Sequence, residues 1–125
     1  MLRCEDYAAL FKTLCLYLEE FELMKWAFIE GFESARLGYY NDRLIKPGSD
    51  KFSAWRYLAK SELDNKCSDL NVYHAALNRM ELELVQSLKS LYDTGYETHG
   101  RLVSEKMEAL EEQAQKVVDD IHGSR

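Results

Sequence analysis

Residues 70–91 read LNVYHAALNRMELELVQSLKSL, and this stretch decides the fold. Its apolar and aromatic positions recur every three or four residues, which is the spacing of one face of an α-helix. The same spacing extends back to Phe52 without a slip. We therefore predict one long helix over about residues 50–94. Two helices broken near Asn65 are the alternative, because the polar residues around this position favour helix only weakly.

A second apolar stripe occupies the first part of the chain. It repeats at alternating steps of three and four residues, as in a heptad, and consists of Tyr7, Leu10, Leu14, Tyr17, Phe21, Met24 and Phe28. This stripe predicts a helix over about residues 5–38. Because further apolar residues such as Leu18 and Trp26 lie off the stripe, this helix needs more than one neighbour.

Two breaker signals divide the chain. Residues 46–50 read KPGSD and contain the only proline, so we predict a loop over residues 39–49. Thr94-Gly95 predicts a helix end, since glycine readily adopts the left-handed conformation that follows many helices. A last helix over about residues 98–121 is expected from the regular spacing of Val103, Met107, Leu110, Ala114, Val117 and Ile121.

The composition favours an all-α fold. One Pro and six Gly in 125 residues leave too few turn residues for a β-sandwich or barrel. We expect a single domain over residues 1–125, with long antiparallel helices in heptad, coiled-coil-like packing as a three-helix or four-helix bundle. The sequence has no apolar run of membrane-spanning length and no signal-peptide pattern at its start, so we expect a cytoplasmic location and no membrane partner.

The unequal lengths of the predicted helices indicate a homodimer. At 1.5 Å per residue, a helix over residues 50–94 is roughly 65 Å long and exceeds both neighbours. A soluble monomer rarely exposes the apolar stripe that would remain uncovered, so we expect a second copy to complete the bundle. The predicted dimer seam comprises Leu70, His74, Leu77, Leu84, Leu88 and Leu91. A compact four-helix monomer with a break near Asn65 is the alternative.

No residue pattern indicates catalysis or a metal site. The three cysteines, Cys4, Cys15 and Cys67, are odd in number and include no Cys-x-x-Cys pair, so they fit neither a disulfide framework nor a zinc site. No His-Glu-x-x-His motif, phosphate-binding glycine loop or nucleophile elbow occurs. We expect a non-enzymatic protein without cofactor or metal, in which His74 belongs to the apolar face of its helix.

Residues 31–38 read GFESARLG, and Ser53-Ala54-Trp55 follows downstream. The two glycines are seven residues apart and lie nearly on one helix face, where they let a second element approach closely. Over residues 31–55 the chain resembles the helical hairpin of ribosome modulation factor and of small phage-encoded proteins. The resemblance implies a helix–loop–helix hairpin and binding of ribosomal RNA. The remainder of this chain is acidic where that family is basic.

Charge is distributed unevenly along the chain. The net charge is −4 over residues 1–35, +3 over residues 36–66 and −5 over residues 67–125. The basic part forms the predicted hairpin tip, whose partner-binding residues are Arg36, Tyr39, Tyr40, Arg43, Lys46, Lys51, Trp55 and Arg56. Clustered charge and large rings in a loop are typical of binding surfaces. Alternatively, these aromatic side chains only fix the loop to the bundle.

The acidic balance of the whole chain bears on the kind of partner. Acidic helices repel a nucleic-acid backbone except where the basic tip points at it. We therefore expect another protein as the partner, as for an accessory or inhibitor protein of a phage or mobile element that binds a host protein. Binding of RNA or of a ribosome through the basic, aromatic tip is the alternative.

Overall fold

The computed structural model describes the backbone of residues 4–123 and the side chains from Tyr7 onward. It contains three α-helices, α1 (Cys4–Leu37), α2 (Ser53–Asp64) and α3 (Leu70–Gly123). Two short 3-10 turns, Asp42–Leu44 and Asp50–Phe52, lie between α1 and α2. No strand occurs within residues 4–123, so the predicted all-α class is confirmed.

The helices run up, down and up, and all three pack against each other. The hydroxyl of Thr13 donates to Glu62 Oε1 at 2.6 Å, and Trp55 Nε1 donates to Glu20 Oε1 at 3.1 Å. Positions therefore rise along α1 as they fall along α2, and these helices are antiparallel. Residues 65–69 form a short turn between α2 and α3. The third helix thus returns antiparallel to α2 and parallel to α1.

One continuous core holds the three helices together. Burial of apolar side chains away from water is its main source of stability. The core also takes up two side chains from the segment between α1 and α2, which ties that segment to the bundle. Its buried apolar members are Leu16, Leu23, Ala27, Ile45, Phe52, Trp55, Ala59, Leu63, Leu77, Leu84, Val85, Leu88 and Tyr92.

The face of α1 that enters the core is not the predicted one. The predicted heptad stripe begins with Tyr7, Leu10, Leu14, Tyr17 and Phe21, and each of these side chains is more than half exposed. Leu16, Leu23 and Ala27 face the core instead. The expectation that neighbouring helices cover this stripe holds only for Met24 and Phe28, which are half-buried, because α1 is apolar around most of its circumference. On such a helix the spacing of large residues identifies a stripe without identifying which stripe is covered.

The predicted long helix over residues 50–94 is divided near Asn65, in agreement with the alternative prediction of two helices. After α2, the backbone N–H groups of Lys66 and Cys67 both donate to the carbonyl of Leu63 and close the helix. Asp69 then begins α3, since its carboxylate accepts from the N–H of Asn71 at 2.8 Å. This carboxylate satisfies a backbone donor that the first turn of a helix leaves unpaired, which is the usual role of an N-cap.

The predicted helix end at Gly95 is wrong, because α3 continues unbroken from Leu70 to Gly123. A Cβ atom on Gly95 would lie 2.0 Å from the carbonyl oxygen of Phe28, and one on Gly31 would lie 1.9 Å from that of Tyr92. The two glycines therefore form a close crossing of α1 and α3. Both are required for backbone approach, and Gly95 serves this purpose inside a helix rather than at its end.

Gly38 ends α1 and does not take part in the helix crossing. Its φ angle is +74°, in the left-handed region, and no atom lies within 4 Å of the position of a Cβ. The N–H of Gly38 donates to Ala35 and the N–H of Tyr39 to Ser34, which are the two bonds of a Schellman motif. Of the two glycines expected to admit a neighbour, only Gly31 does so, and the neighbour is α3.

The third helix is much longer than the bundle around it. Its 54 residues span roughly 81 Å, whereas the 34 residues of α1 span roughly 51 Å. The Phe32 ring meets the His99 ring edge-on at 4.9 Å, five residues before α1 ends. Every residue from 101 to 123 is exposed. We refer to residues 101–123 of α3 as the extension.

Candidate functional site

The segment predicted to form a basic hairpin tip lies along the side of the bundle. The ring of Tyr40 packs edge-on against those of Tyr92 and Tyr96, at 5.4 and 5.3 Å. The N–H of Asn41 donates to the hydroxyl of buried Tyr92 at 2.8 Å. The chain therefore turns back beside α3 directly after Gly38. This segment therefore lies across the side of the bundle and does not project from it.

The hydroxyl of Tyr40 donates a hydrogen bond to the carboxylate of Asp93. This bond is the main reason that the pKa of Tyr40 is well above its usual range, and burial and the charge of Asp93 add to the rise. The hydroxyl therefore remains a protonated donor at neutral pH. Its role in the described structure is to fix the segment to α3.

A buried ion pair fixes the other end of this segment. Glu81 accepts from Arg56 Nη2 at 2.8 Å and from the N–H of Gly48 at 2.9 Å. Burial acts to raise the pKa of Glu81, but the bonds from Arg56 and Gly48 outweigh it and the pKa lies below its usual value. Arg56 also donates to the carbonyl of Ser49. This network joins the segment to α2 and α3.

Two predicted partner-binding residues therefore belong to the interior of the fold. Trp55 is buried, and its indole nitrogen is bonded to Glu20. Arg56 is committed to Glu81. An aromatic or basic residue in a loop-proximal position is often a surface residue, but here the ring fills the space between the helices. The interpretation that these aromatics fix the loop to the bundle describes Tyr40 and Trp55 correctly.

The remaining predicted residues lie on the surface. Arg36 forms an ion pair with Glu33 at 2.6 Å, one turn earlier on α1. Lys51 lies 5.4 Å from the ring centroid of Trp26. Tyr39, Arg43 and Lys46 are exposed on the segment between the helices. The basic surface that remains is consequently smaller than the sequence predicts, and of its predicted aromatic residues Tyr39 is the most exposed.

The predicted dimer seam does not form one exposed face. Leu77, Leu84 and Leu88 are buried in the core of the single chain. Leu91 is half-buried, while Leu70 and His74 are exposed near the start of α3. The reason is that α1 and α2 cover this side of α3 along most of its first part. A second copy has no access to the buried members of the seam.

Potential metal ligands and thiols are dispersed over the described part of the chain. Among residues 7–123, whose side chains the structure describes, no cluster of three or more His, Cys, Asp or Glu side chains is placed to bind a metal ion. Cys15 and Cys67 are free thiols and half-buried, and the side chain of Cys4 lies outside the described part. Within residues 4–123, no helix has both the length and the apolar character that crossing a membrane requires.

The structure exposes an apolar surface that sequence reasoning placed in the core. We call it the α1 face. It covers about four helical turns, its members all share one side of α1, and each is more than half exposed: Tyr7, Leu10, Phe11, Leu14, Tyr17, Leu18 and Phe21. A signal for it existed in the sequence, since α1 carries two apolar stripes and a bundle of three helices covers only one.

A second exposed apolar surface runs along the extension. Its large members, which include Val103, Met107 and Leu110, are all exposed. At its base, beside the end of α1, lies an open cleft of about 450 Å³ lined mainly by apolar atoms. Phe32 and His99 form one wall of this cleft. The apolar surface of α3 thus continues past the point where α1 stops.

Comparison with family models, with curated proteins and with solved structures found no match to this chain. The functional interpretation therefore depends on the exposed surfaces described above.

Proposed function

We propose that this chain is a non-enzymatic, helical protein–protein interaction module that binds another protein through the α1 face. The observation that carries this proposal is the exposure of seven large apolar side chains on consecutive turns of one helix. A contiguous apolar patch of this kind on a folded chain marks an interaction site far more often than an idle surface.

The residue types of the α1 face suit tight binding. Tyr7, Phe11, Tyr17 and Phe21 provide four aromatic rings, and residues of this kind dominate the binding energy of protein interfaces. The face as a whole follows the i, i+3, i+4, i+7 pattern of helices that lie in an apolar groove, since Tyr7 is followed by Leu10, Phe11 and Leu14. The partner surface that fits is therefore an apolar groove, lined by aliphatic or aromatic side chains.

Charged residues limit the length of the α1 face. Lys25 lies 4.8 Å from the ring centroid of Phe21 and 3.2 Å from Glu22 Oε1. This pair interrupts the apolar surface after Phe21. From Tyr7 to Phe21 the face is roughly 21 Å long, which sets the length of the groove that it would fill.

The finer role that we propose is that of an accessory or inhibitor protein of a phage or mobile element. The net charge of −6 supports it, since an acidic helical protein can compete for a basic surface on its target. The apolar α1 face would supply affinity, and the acidic helices would add electrostatic attraction.

Exposed Arg43 and Lys46 favour RNA or ribosome binding as the second candidate function. The structure weakens this candidate relative to the sequence, because Trp55 is buried and cannot stack on a base. Binding of single-stranded RNA commonly requires such stacking in addition to charge.

A site-specific cross-link tests the α1 face directly. A photoreactive residue is placed at Leu14, in the centre of the face, or at Lys12, which is also exposed but points to the opposite side of α1. We expect a protein from the source cells to be captured through position 14 and not through position 12. The captured protein is then purified, and its affinity is measured by calorimetry.

Two substitutions complete this experiment. Leu14→Asp should weaken binding on the order of a hundred-fold, because it places a charge in the interface, whereas Lys12→Ser should leave the affinity unchanged. A partner that binds Leu14→Asp as tightly as the original chain would reject the α1 face. Salt-sensitive binding of a mixed-sequence single-stranded RNA, lost on changing Arg43 and Lys46 to Glu, would replace the proposal with the RNA alternative.

A further inference from the structure

We infer that the extension pairs with the extension of a second copy of this chain as an antiparallel two-helix coiled coil. This inference concerns a different surface from the α1 face and does not depend on it. Four observations support it: the continuity of the apolar stripe on α3, the accessible area of the chain, the register of the stripe, and the charges beside it.

The stripe on the extension continues an interface that already exists within the chain. Along the first part of α3, the buried residues at steps of three or four are Leu77, Glu81, Leu84, Leu88, Tyr92 and Gly95. The same steps lead through His99 to Val103 and on to Ile121. Because α1 ends at Leu37, no helix of the same chain covers the second part. A second helix in this position would extend the packing of the bundle.

The accessible area of the chain also indicates a missing partner. The chain exposes 9443 Å², whereas a compact monomer of 14.6 kDa exposes about 6,900 Å². The excess is roughly 2,500 Å² per chain. This excess includes the α1 face as well as the extension. Stable homodimers commonly bury about 1,000–2,500 Å² on each partner, so the exposed surface is sufficient for a dimer interface.

The register of the stripe is symmetric, which selects the antiparallel arrangement. Its members are Val103, Met107, Leu110, Ala114, Val117 and Ile121. We place the two-fold axis of the antiparallel pair beside residue 112. In this register Val103 lies opposite the partner's Ile121, and Leu110 lies opposite the partner's Ala114. Every layer then pairs two apolar residues. At the centre, the small Ala114 makes room for the larger Leu110.

The position of α1 excludes the parallel arrangement. Phe32 packs on α3 at His99, immediately before the extension begins. If two extensions ran in parallel, the bundle of the second copy would have to lie in the space that α1 occupies. In the antiparallel arrangement the second bundle lies at the far end, and the last turns of the partner's extension approach the cleft beside Phe32.

The polar contacts beside the stripe are favourable on one side and unfavourable on the other. In the antiparallel register, Lys106 faces the partner's Asp120, and Gln113 faces the partner's Gln113 across the axis. These contacts are favourable. On the other side Glu111 faces the partner's Glu111, which is a repulsion between like charges. Removing this charge should therefore strengthen the dimer.

Sedimentation equilibrium tests the pairing in solution. The chain should have about twice the mass of 14.6 kDa at micromolar concentration. Leu110→Glu should raise the dimer dissociation constant on the order of a hundred-fold, because both copies then bury a charge, while helicity is retained. Glu111→Gln should lower it by about twofold. A monomer at all concentrations, or a dimer that persists in Leu110→Glu, would overturn the inference.

A disulfide distinguishes the antiparallel register from other contacts. Gln113→Cys places two thiols across the proposed axis, whereas Glu112→Cys, the adjacent residue, points away from the partner. Under mild oxidation we expect a cross-linked dimer from Gln113→Cys only, with the original chain as the reference for its own cysteines. Equal cross-linking of both variants, or none from Gln113→Cys, would contradict the antiparallel arrangement. The failure of this test would leave the α1 face unaffected.

Discussion

The two parts of α3 carry the same apolar spacing but have different surroundings. Along residues 70–100, α1 and α2 cover one side of the helix, and Leu88 and Tyr92 are fully buried. Along residues 101–123 every residue is exposed. The difference arises from where α1 stops, at the Schellman motif around Gly38, and not from α3 itself. Apolar spacing thus identifies a helix, while the length of its neighbours decides which part is core.

The largest difference in stability between the two parts of α3 should appear when one leucine in each part is replaced by alanine. Leu88 is fully buried, and Leu88→Ala should lower the free energy of unfolding by about 2–5 kcal/mol through loss of packing and the remaining cavity. Leu110 is exposed, and Leu110→Ala should change it by less than about 0.5 kcal/mol. Urea unfolding at a concentration where the chain is monomeric measures both. Equal losses would show that the extension is packed in the single chain.

Substitution by alanine at two glycines five residues apart should change the stability of the chain in opposite directions. Gly95→Ala should destabilise the chain by about 1–3 kcal/mol, since its Cβ would overlap the backbone of Phe28 in the helix crossing. Gly100→Ala meets no atom within 4 Å and should stabilise it by about 0.5–1 kcal/mol through better helix propensity. Thermal unfolding of the two variants checks this. A stabilised Gly95→Ala would contradict the close crossing.

The last comparison has the smallest expected difference between its two variants, depends on pH, and concerns Glu81 in the packed part of α3. Its pKa in the folded chain lies below the ordinary value of 4.5, so its contribution to stability is present above that value and disappears as the pH falls through the folded pKa. Glu81→Gln should therefore cost roughly 1–2 kcal/mol at neutral pH and progressively less in acid. Urea unfolding across this range measures the difference.

A matched variant on the extension serves as the control for the substitution of Glu by Gln. Glu112 is exposed on the extension, so Glu112→Gln should change the free energy of unfolding by less than about 0.5 kcal/mol at neutral pH. A difference between Glu81→Gln and the original chain that stays constant into acid would show that the ion pair with Arg56 does not stabilise the fold.

Much of the fold was predictable from local patterns. The end of α1 and the following loop could be predicted, because a glycine and a proline control the backbone locally. The continuity of α3 could not, because Gly95 has the same local signature whether it ends a helix or admits a neighbour. Only the position of Phe28 on α1 decides between these roles, and this is tertiary information.

The candidate site shows the same division between local and tertiary information. Exposed Arg43 and Lys46 could be predicted from their place in a polar loop. The burial of Trp55 and the pairing of Arg56 with Glu81 could not, since they depend on how α2 lies against α3. The exposure of the α1 face was missed for a similar reason. A helix with two apolar stripes does not reveal which one its neighbours cover.

The unbroken passage of α3 through Gly95 makes the chain a rigid spacer. Paired antiparallel through their extensions, two copies would hold their α1 faces at opposite ends of one rod, roughly 100 Å apart. Two target sites at that separation could be engaged together, with a gain in avidity from the high effective concentration of the second face. Sites much closer together would be bound one at a time. The helix would then select targets by the distance between them.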